Sequence, residues 1–417
     1  MKKNAHIVIL SVLAAAAFSC RSGSKTGKAE LQVRRNAAET NTMIQNALLE
    51  QDKAVKKFIG AMSDAQKAAQ MFIINIEGNA DFIPVEKMSA IDKSSGEPLV
   101  PGGYIFFSYN IADTEEKVRE FTGSIREFCI SGKIIPPFLA TDQEGGYVDR
   151  LGKLGEPLPS QKKVAETMEI GQAYQLYSQK AEQMRRLGFH LNLAPVAEAE
   201  TLENREFLGR RSFGDADTTI KYGTAAVNAY GNNGIGAVLK HFPGNTNTDP
   251  HTGLPEITAD YAQLEKMIRP FAEIMRREPA GILMSHARTQ ALDPGVPACL
   301  SKKWISEILR GQLGYKGIVF SDDIFMGALA DNGYPPEKAA LMAVEAGTDC
   351  IMISEKRFAA PAKILVTQME KDAEFRKKID ESVERIIRFK IKAGILEFRS
   401  LNDGSYIIAA AECHSRT

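Results

Sequence analysis

Gly236-Ala237-Val238-Leu239-Lys240-His241-Phe242-Pro243-Gly244 is the stretch that decides the fold. Small and apolar residues lead into two basic ones, and a Pro-Gly pair follows at once. An apolar run of this length with a Pro-Gly stop reads as a buried strand. Polar groups at its end are costly to bury unless they bind something. The layout recurs along the chain. Asp142 ends Pro137-Phe138-Leu139-Ala140-Thr141, His286 ends Gly281-Ile282-Leu283-Met284-Ser285, and Asp322 ends Gly317-Ile318-Val319-Phe320-Ser321. Chemical groups at the carboxyl ends of successive buried strands describe the mouth of an α/β barrel.

Working outward from that stretch, strand-like runs fall at 70–76, 102–108, 136–142, 189–197, 236–241, 280–286, 317–322 and 349–354. Helical patterns lie between most of them, at Glu115 to Ile130, Gln172 to Leu187, Thr218 to Asn232, Tyr261 to Arg276 and Lys302 to Gln312. Eight such alternations predict a TIM-type (β/α)8 barrel, one catalytic domain over 61–395. The chain has no Gly-x-Gly-x-x-Gly fingerprint, which weighs against an open dinucleotide-binding sheet. Glu374 to Ala393 reads as a closing helix. In the tail, 396–417, Tyr406 to Ala411 either adds a strand or packs loosely.

The 417 residues are 44% hydrophobic and 25% charged, ordinary for a chain with a real core. The formal net charge is zero, so nothing suggests a nucleic-acid partner held by a basic face. A neutral sugar suits that balance. The first residues read as a targeting segment: Lys2 and Lys3, then the short apolar stretch Ile7 to Phe18, then Ala17-Phe18-Ser19-Cys20. An apolar region this short is a signal peptide, here 1–19, and not a membrane span. Cys20 is then the acylated residue of a bacterial lipoprotein anchored in the cell envelope; the plainer alternative is secretion with an incidental cysteine. Residues 20–60 would be a lipid-anchored tether and lead helix. Cys129, Cys299, Cys350 and Cys413 have no metal-ligand spacing, and Cys350 lies in an apolar run that suits a buried free thiol. The sequence implies no metal or organic cofactor.

Four clusters carry the chemistry. Neighbouring strand residues face opposite ways, so Asp322 and Asp323 cannot play the same part. One faces the barrel mouth, and the other packs or caps a helix. In Asp249-Pro250-His251 a carboxylate two residues before an imidazole can accept its ring N–H. The imidazole can then give and take a proton near neutral pH, unless the loop is only solvated surface. Asp142-Gln143-Glu144-Gly145-Gly146, with Val148 and Arg150, offers a carboxylate and a guanidinium to sugar hydroxyls, with a charged turn as the plain alternative. Arg210-Arg211-Ser212-Phe213-Gly214 lies in a loop long enough to be functional. His190 begins a strand and reads as structural.

Together these runs resemble glycoside hydrolase family 3, in its single-domain β-N-acetylglucosaminidase branch. The resemblance rests on Met62 to Phe72, Pro101-Gly102-Gly103, Thr141 to Gly146 with Val148 and Arg150, Leu193-Ala194-Pro195-Val196, Arg211-Ser212-Phe213-Gly214, Lys240 to Gly244, Met284-Ser285-His286 and Phe320 to Asp323. It implies an exo-acting retaining glycosidase, with Asp322 as nucleophile, His251 as general acid/base and Asp249 as its carboxylate partner. Asp142 and Arg150 would grip the terminal sugar, with Arg211, Lys240, His241 and His286 as further substrate-binding groups. Larger relatives take the acid from another domain; here a loop of the barrel is expected to supply it. The sequence departs from the family in having Asn245-Thr246 where His-Gly is common, a segment to the Asp-x-His pair two residues shorter, Pro250 for Ser, and Glu198 for Asp. The resemblance implies terminal β-linked N-acetylglucosamine as substrate, in peptidoglycan fragments or chitin oligomers. A β-glucosidase or other exo-glycosidase, a phosphorylase on the same barrel, and a non-catalytic sugar-binding surface lipoprotein stay open.

Overall fold

The computed structural model describes residues 26–93, 95–250, 253–401 and 405–411. The signal peptide, Cys20, His251 and Cys413 lie outside the described residues. Two compact units divide at Lys53/Ala54. The first is the greater part of the helix Thr26–Gly60. The second runs from Ala54 and holds everything discussed below. No described helix is long and apolar enough to cross a membrane.

Eight parallel strands form the second unit's sheet: β1 (Phe72–Asn75), β2 (Gly103–Phe106), β3 (Phe138–Thr141), β4 (Leu191–Asn192), β5 (Gly236–Phe242), β6 (Gly281–Met284), β7 (Ile318–Phe320) and β8 (Ile351–Ile353). From β1 to β7 each pairs with the next in sequence, and β8 pairs back onto β1. Asp349 and Cys350, just ahead of β8, donate their N–H groups to Val319 O (2.9 and 3.0 Å), and Ser321 N donates to Cys350 O (3.0 Å). These bonds bring β7 against the start of β8 and the ring to near closure. The fold is therefore the expected TIM-like α/β barrel.

The helices follow the sequence reading to within a few residues: Glu115–Ser131, Ile170–Arg186, Ala216–Asn232, Tyr261–Met275 and the closing helix Ala373–Lys392. Asp215 and Asp260 cap two of them, each accepting the N–H three residues on. Lys303–Gln312 is wound as a π-helix. The strand expected over 189–197 is shorter. Regular pairing stops at Asn192 and resumes as a bridge between Val196 and Lys240, one residue out of register, while Ala194 O and Pro195 O still accept Val238 N (3.1 Å) and Lys240 N (3.2 Å). Tyr406–Ala410 does add a strand, antiparallel to Leu396–Ser400.

Side-chain alternation divides the core in two. Ile73, Ile105, Phe138, Ala140, Leu191, Val238, Leu283, Ile318, Phe320 and Met352 fill the barrel interior. Phe72, Ile74, Leu139, Leu239, Ile282 and Val319, one residue out of step, face the helices. The closing helix stoppers one end: Phe389 meets Phe138 edge-on, which in turn meets Phe320 (centroids 5.7 and 6.3 Å). Gly103 lets this happen, since a Cβ there would sit 2.2 Å from the Phe138 ring.

Candidate active site

The inward rows end in chemistry. Asp142 is two residues beyond Ala140, Lys240 two beyond Val238, and Asp322 two beyond Phe320, so strand alternation aims all three at the same mouth. Lys240 is 4% exposed and donates through Nζ to Asp142 Oδ1 and Glu144 Oε1, both at 2.6 Å. Arg211, from the loop after β4, forks onto the same Glu144 through Nε (2.8 Å) and Nη2 (3.0 Å). Two carboxylates and two cations thus alternate as Asp142, Lys240, Glu144, Arg211. Burial alone would push the Glu144 carboxyl up, but Lys240 and Arg211 outweigh it and hold it far below the usual carboxylate range. Burial works against the Lys240 ammonium, yet Asp142 and Glu144 raise its pKa above the ordinary value.

The loop after β3 is held at both ends. Asn192 donates to Gln143 O (3.1 Å) and accepts from Gln143 N (2.9 Å). Gln143 Oε1 accepts from Leu151 N at 3.0 Å, and its amide bonds Asp149. Gly145 turns at φ +97°, with Pro159 O 2.2 Å from where a Cβ would stand. Arg150 emerges from this loop with its guanidinium 5.6 Å from the centre of the Phe107 ring and its buried Nε without a partner.

Asp322 and Asp323 divide as alternation requires. Asp323 Oδ1 accepts Phe325 N and Ser354 N, both at 3.0 Å, so it packs outside the mouth and ties the turn after β7 to the loop after β8, and burial raises its pKa. Asp322 is partly buried, and its Oδ1 accepts Asp323 N at 2.9 Å. Burial pushes the Asp322 carboxyl up; the His286 and His241 imidazoles, the Asp323 N–H and the Lys240 ammonium outweigh it, so the net shift is down. His286 is fully buried. Its Nε2 donates to Asp323 O (3.1 Å), which leaves Nδ1 to accept the Cys299 thiol (3.2 Å). Burial lowers the His286 pKa against the opposing pull of Asp322 and Asp323, and raises that of Cys299. His286 therefore sits behind Asp322 with both nitrogens on protein groups. His190 accepts Leu139 N at 3.0 Å through Nδ1, in keeping with its structural reading, and burial pushes its pKa down to about 3.

His241 ends β5 beside Glu198. Its Nδ1 donates to Glu198 Oε1 at 2.7 Å and its backbone N–H reaches the same oxygen at 3.2 Å. Asn245 binds Glu198 too, through its N–H (2.7 Å to Oε2) and Nδ2 (3.2 Å to Oε1). The two departures Glu198 and Asn245 are thus partners. Beyond them the loop is tied to the loop after β4: Asn247 Oδ1 accepts Glu206 N (2.9 Å), and its Nδ2 donates to Leu202 O (3.2 Å). Asp249 is exposed on this loop, and its carbonyl accepts Gly253 N at 3.1 Å. Pro243 to Thr246, Glu198 and the helix Tyr261–Met275 border a cleft of about 410 Å³ with acidic walls, among them Glu203, Asp215 and Glu256.

The structure thus joins Asp142 to Lys240 directly and Arg211 to both through Glu144, with Asp322 close enough to His241 and Lys240 to interact with each electrostatically. Glu144, Glu198, Asn192 and Asn245 do not stand out as site groups in the sequence. Asn192 ends its strand only in the structure; in the sequence it lies inside the run 189–197, so the rule that found Asp142 passes over it. Nothing local marks Glu144, because its partners come from β5 and the loop after β4.

The family model for the glycosyl hydrolase family 3 N terminal domain matches residues 66–389, and the chain belongs to that family. Beta-hexosaminidase A of Pseudoalteromonas piscicida is 29% identical over 325 residues, 70% of this chain and 53% of that one. Beta-hexosaminidase LpqI of Mycobacterium tuberculosis is 28% identical over 345 residues, 79% of this chain and 83% of its own length. Among solved structures, a glycoside hydrolase family 3 beta-N-acetylglucosaminidase from Paenibacillus sp. superposes with a TM-score of 0.71 at 28% identity, covering 80% of this chain and 63% of that one. The chain therefore spans about half the length of the first of these relatives and under two thirds of the Paenibacillus protein.

Proposed function

We propose that this chain is an exo-acting, retaining β-N-acetylglucosaminidase that releases terminal β-linked N-acetylglucosamine from peptidoglycan fragments or chitin-type oligosaccharides. The observation that carries the reading is the alternating network Asp142, Lys240, Glu144 and Arg211 at the same barrel mouth as an Asp322 whose pKa is shifted down. A preset array of charged donors and acceptors suits the hydroxyls of one terminal sugar, and an ionised carboxylate suits attack on its anomeric carbon. The names of the beta-hexosaminidase relatives support the same substrate class.

In this reading Asp322 forms a bond to the anomeric carbon as the bond to the leaving oxygen breaks, and that oxygen takes a proton from His251. Water then gives a proton back to His251 and displaces Asp322, so the sugar leaves with its configuration retained. Asp249 holds the imidazole. Asp142, Arg150, Arg211, Lys240 and His241 grip the sugar, and His286 supports the turn that carries Asp322. The N-terminal sequence supports export and lipid anchoring through Cys20 as part of the same proposal, to be tested by loss of acyl labelling in Cys20→Ser.

The test is a panel of aryl glycosides on wild type and Asp322→Ala. The reading expects hydrolysis of the N-acetylglucosaminide over the glucoside, and no turnover in a folded Asp322→Ala. Undiminished rates in that variant would remove Asp322 from the mechanism, and preference for the glucoside would change the substrate.

A further inference from the structure

Glu198 is among the most enclosed carboxylates near the mouth, its side chain 1% exposed, and no lysine or arginine pairs with it among the described ion pairs. All four groups it binds are N–H donors: His241 N and Nδ1, and Asn245 N and Nδ2. Its own carbonyl accepts Ser212 Oγ at 2.7 Å, next to Arg211. One residue therefore joins the end of β5 and the first turn of the loop running to Asp249 through its side chain, and the segment that delivers Arg211 through its backbone carbonyl. Only a carboxylate can accept on both oxygens at once; a carboxamide of the same shape has one acceptor and one donor.

We propose that Glu198 is a positioning residue that sets the His241 tautomer and the root of the Asp249 loop together. With Nδ1–H bound to Glu198, the ring nitrogen left to a sugar is Nε2, in its accepting state when the ring is neutral. The inference rests on the proposed glycosidase reading for its kinetic consequence but not for its structural one.

Glu198→Gln makes the link measurable. If the new amide nitrogen faces His241, Nδ1 meets a donor and the ring turns to the Nε2–H form. If it faces Asn245, two donors oppose each other and the loop root is released. The first outcome shows in ¹⁵N NMR of the imidazole, assigned by difference against His241→Asn. It also shows as a raised KM for the aryl N-acetylglucosaminide. The second shows as a loss that grows as the leaving group becomes more basic. A displacement of about 1 Å at a reacting group costs on the order of 10²-fold, so a loss of that size is expected on the disaccharide and less on a dinitrophenyl glycoside. Either pattern, with folding retained, supports the proposal. An unchanged imidazole spectrum together with rates that are unchanged or lowered equally on all substrates overturns it. If wild type hydrolyses nothing, the glycosidase reading fails and the imidazole spectrum alone decides the role of Glu198. If Glu198→Gln does not fold, Glu198→Asp takes its place: one methylene shorter, it is expected to give up either His241 or Asn245, and the same readouts apply.

Discussion

Replacing Glu144 by Gln would test the charge network at its centre. The change keeps the shape and removes one charge. Glu144 receives Arg211 Nε at 2.8 Å, Arg211 Nη2 at 3.0 Å and Lys240 Nζ at 2.6 Å, with its side chain 1% exposed. Breaking a buried ion pair by removing one partner costs about 3–5 kcal/mol, because the remaining charge stays buried. Lys240 keeps Asp142 at 2.6 Å, which favours the lower half of that range. Arg211 has no second carboxylate in bonding distance among the described ion pairs, so it should swing towards solvent. We expect a stability loss of about 3 kcal/mol at pH 7, read from urea unfolding, and a KM increase with kcat less affected. The pH dependence supplies a sharper check. Lys240 and Arg211 outweigh burial and depress the folded-state pKa of Glu144 below its unfolded value. The unfolded chain therefore binds this proton first as pH falls, and the stability conferred by Glu144 is complete above the unfolded pKa near 4.5 and drains away below it. The gap between wild type and Glu144→Gln should be constant from pH 7 to about 5 and shrink towards about pH 3. A gap that is absent at pH 7, or that widens on acidification, would refute the reasoning.

Three further outcomes are expected. His251→Ala should lose about 10²–10⁴-fold on natural disaccharides, the usual worth of general acid catalysis, but far less on dinitrophenyl glycosides that need no proton; equal losses on both would remove His251 from that role. Lys390, buried and donating to Gln70 Oε1 and Pro136 O at 2.7 Å each, has its pKa pushed down to about 7 by burial. Between that value and 10.5 the unfolded chain holds a proton the folded one lacks. Stability should therefore rise with pH there, by up to about 1.4 kcal/mol per unit, and Lys390→Met should lack this component in parallel urea series at about pH 7.5 and 9.5. Cys299→Ser should keep the donor to His286 Nδ1 and preserve activity, whereas Cys299→Ala leaves that nitrogen unpartnered; equal kinetics and melting points for the two would show that the thiol contact is idle.

The sequence by itself determined the barrel and the strand ends that point into its mouth. Apolar runs of strand length separated by helical periodicity leave few other ways to bury their surface. Alternation then places Asp142, Lys240 and Asp322 on the inward rows, because each follows an interior residue by two positions, and divides Asp322 from its neighbour Asp323, which binds backbone N–H groups instead. The length of the fourth strand was not legible in this way, since a run of apolar residues does not reveal where its register against β5 shifts.

The partnerships at the mouth were decided only by the tertiary structure. Glu144 is 67 residues from Arg211, and Glu198 is 43 from His241 and 47 from Asn245. In sequence, Glu198 and Asn245 are two unrelated departures from a family pattern; in space they are one hydrogen-bonded unit. His286 reads as a strand-end ligand, yet burial and the Cys299 thiol turn it towards the backbone behind Asp322. Periodicity is a local property that hydrophobic burial enforces strand by strand. Which polar groups neutralise one another depends on distances between separate loops, and those exist only once the ring of strands has closed.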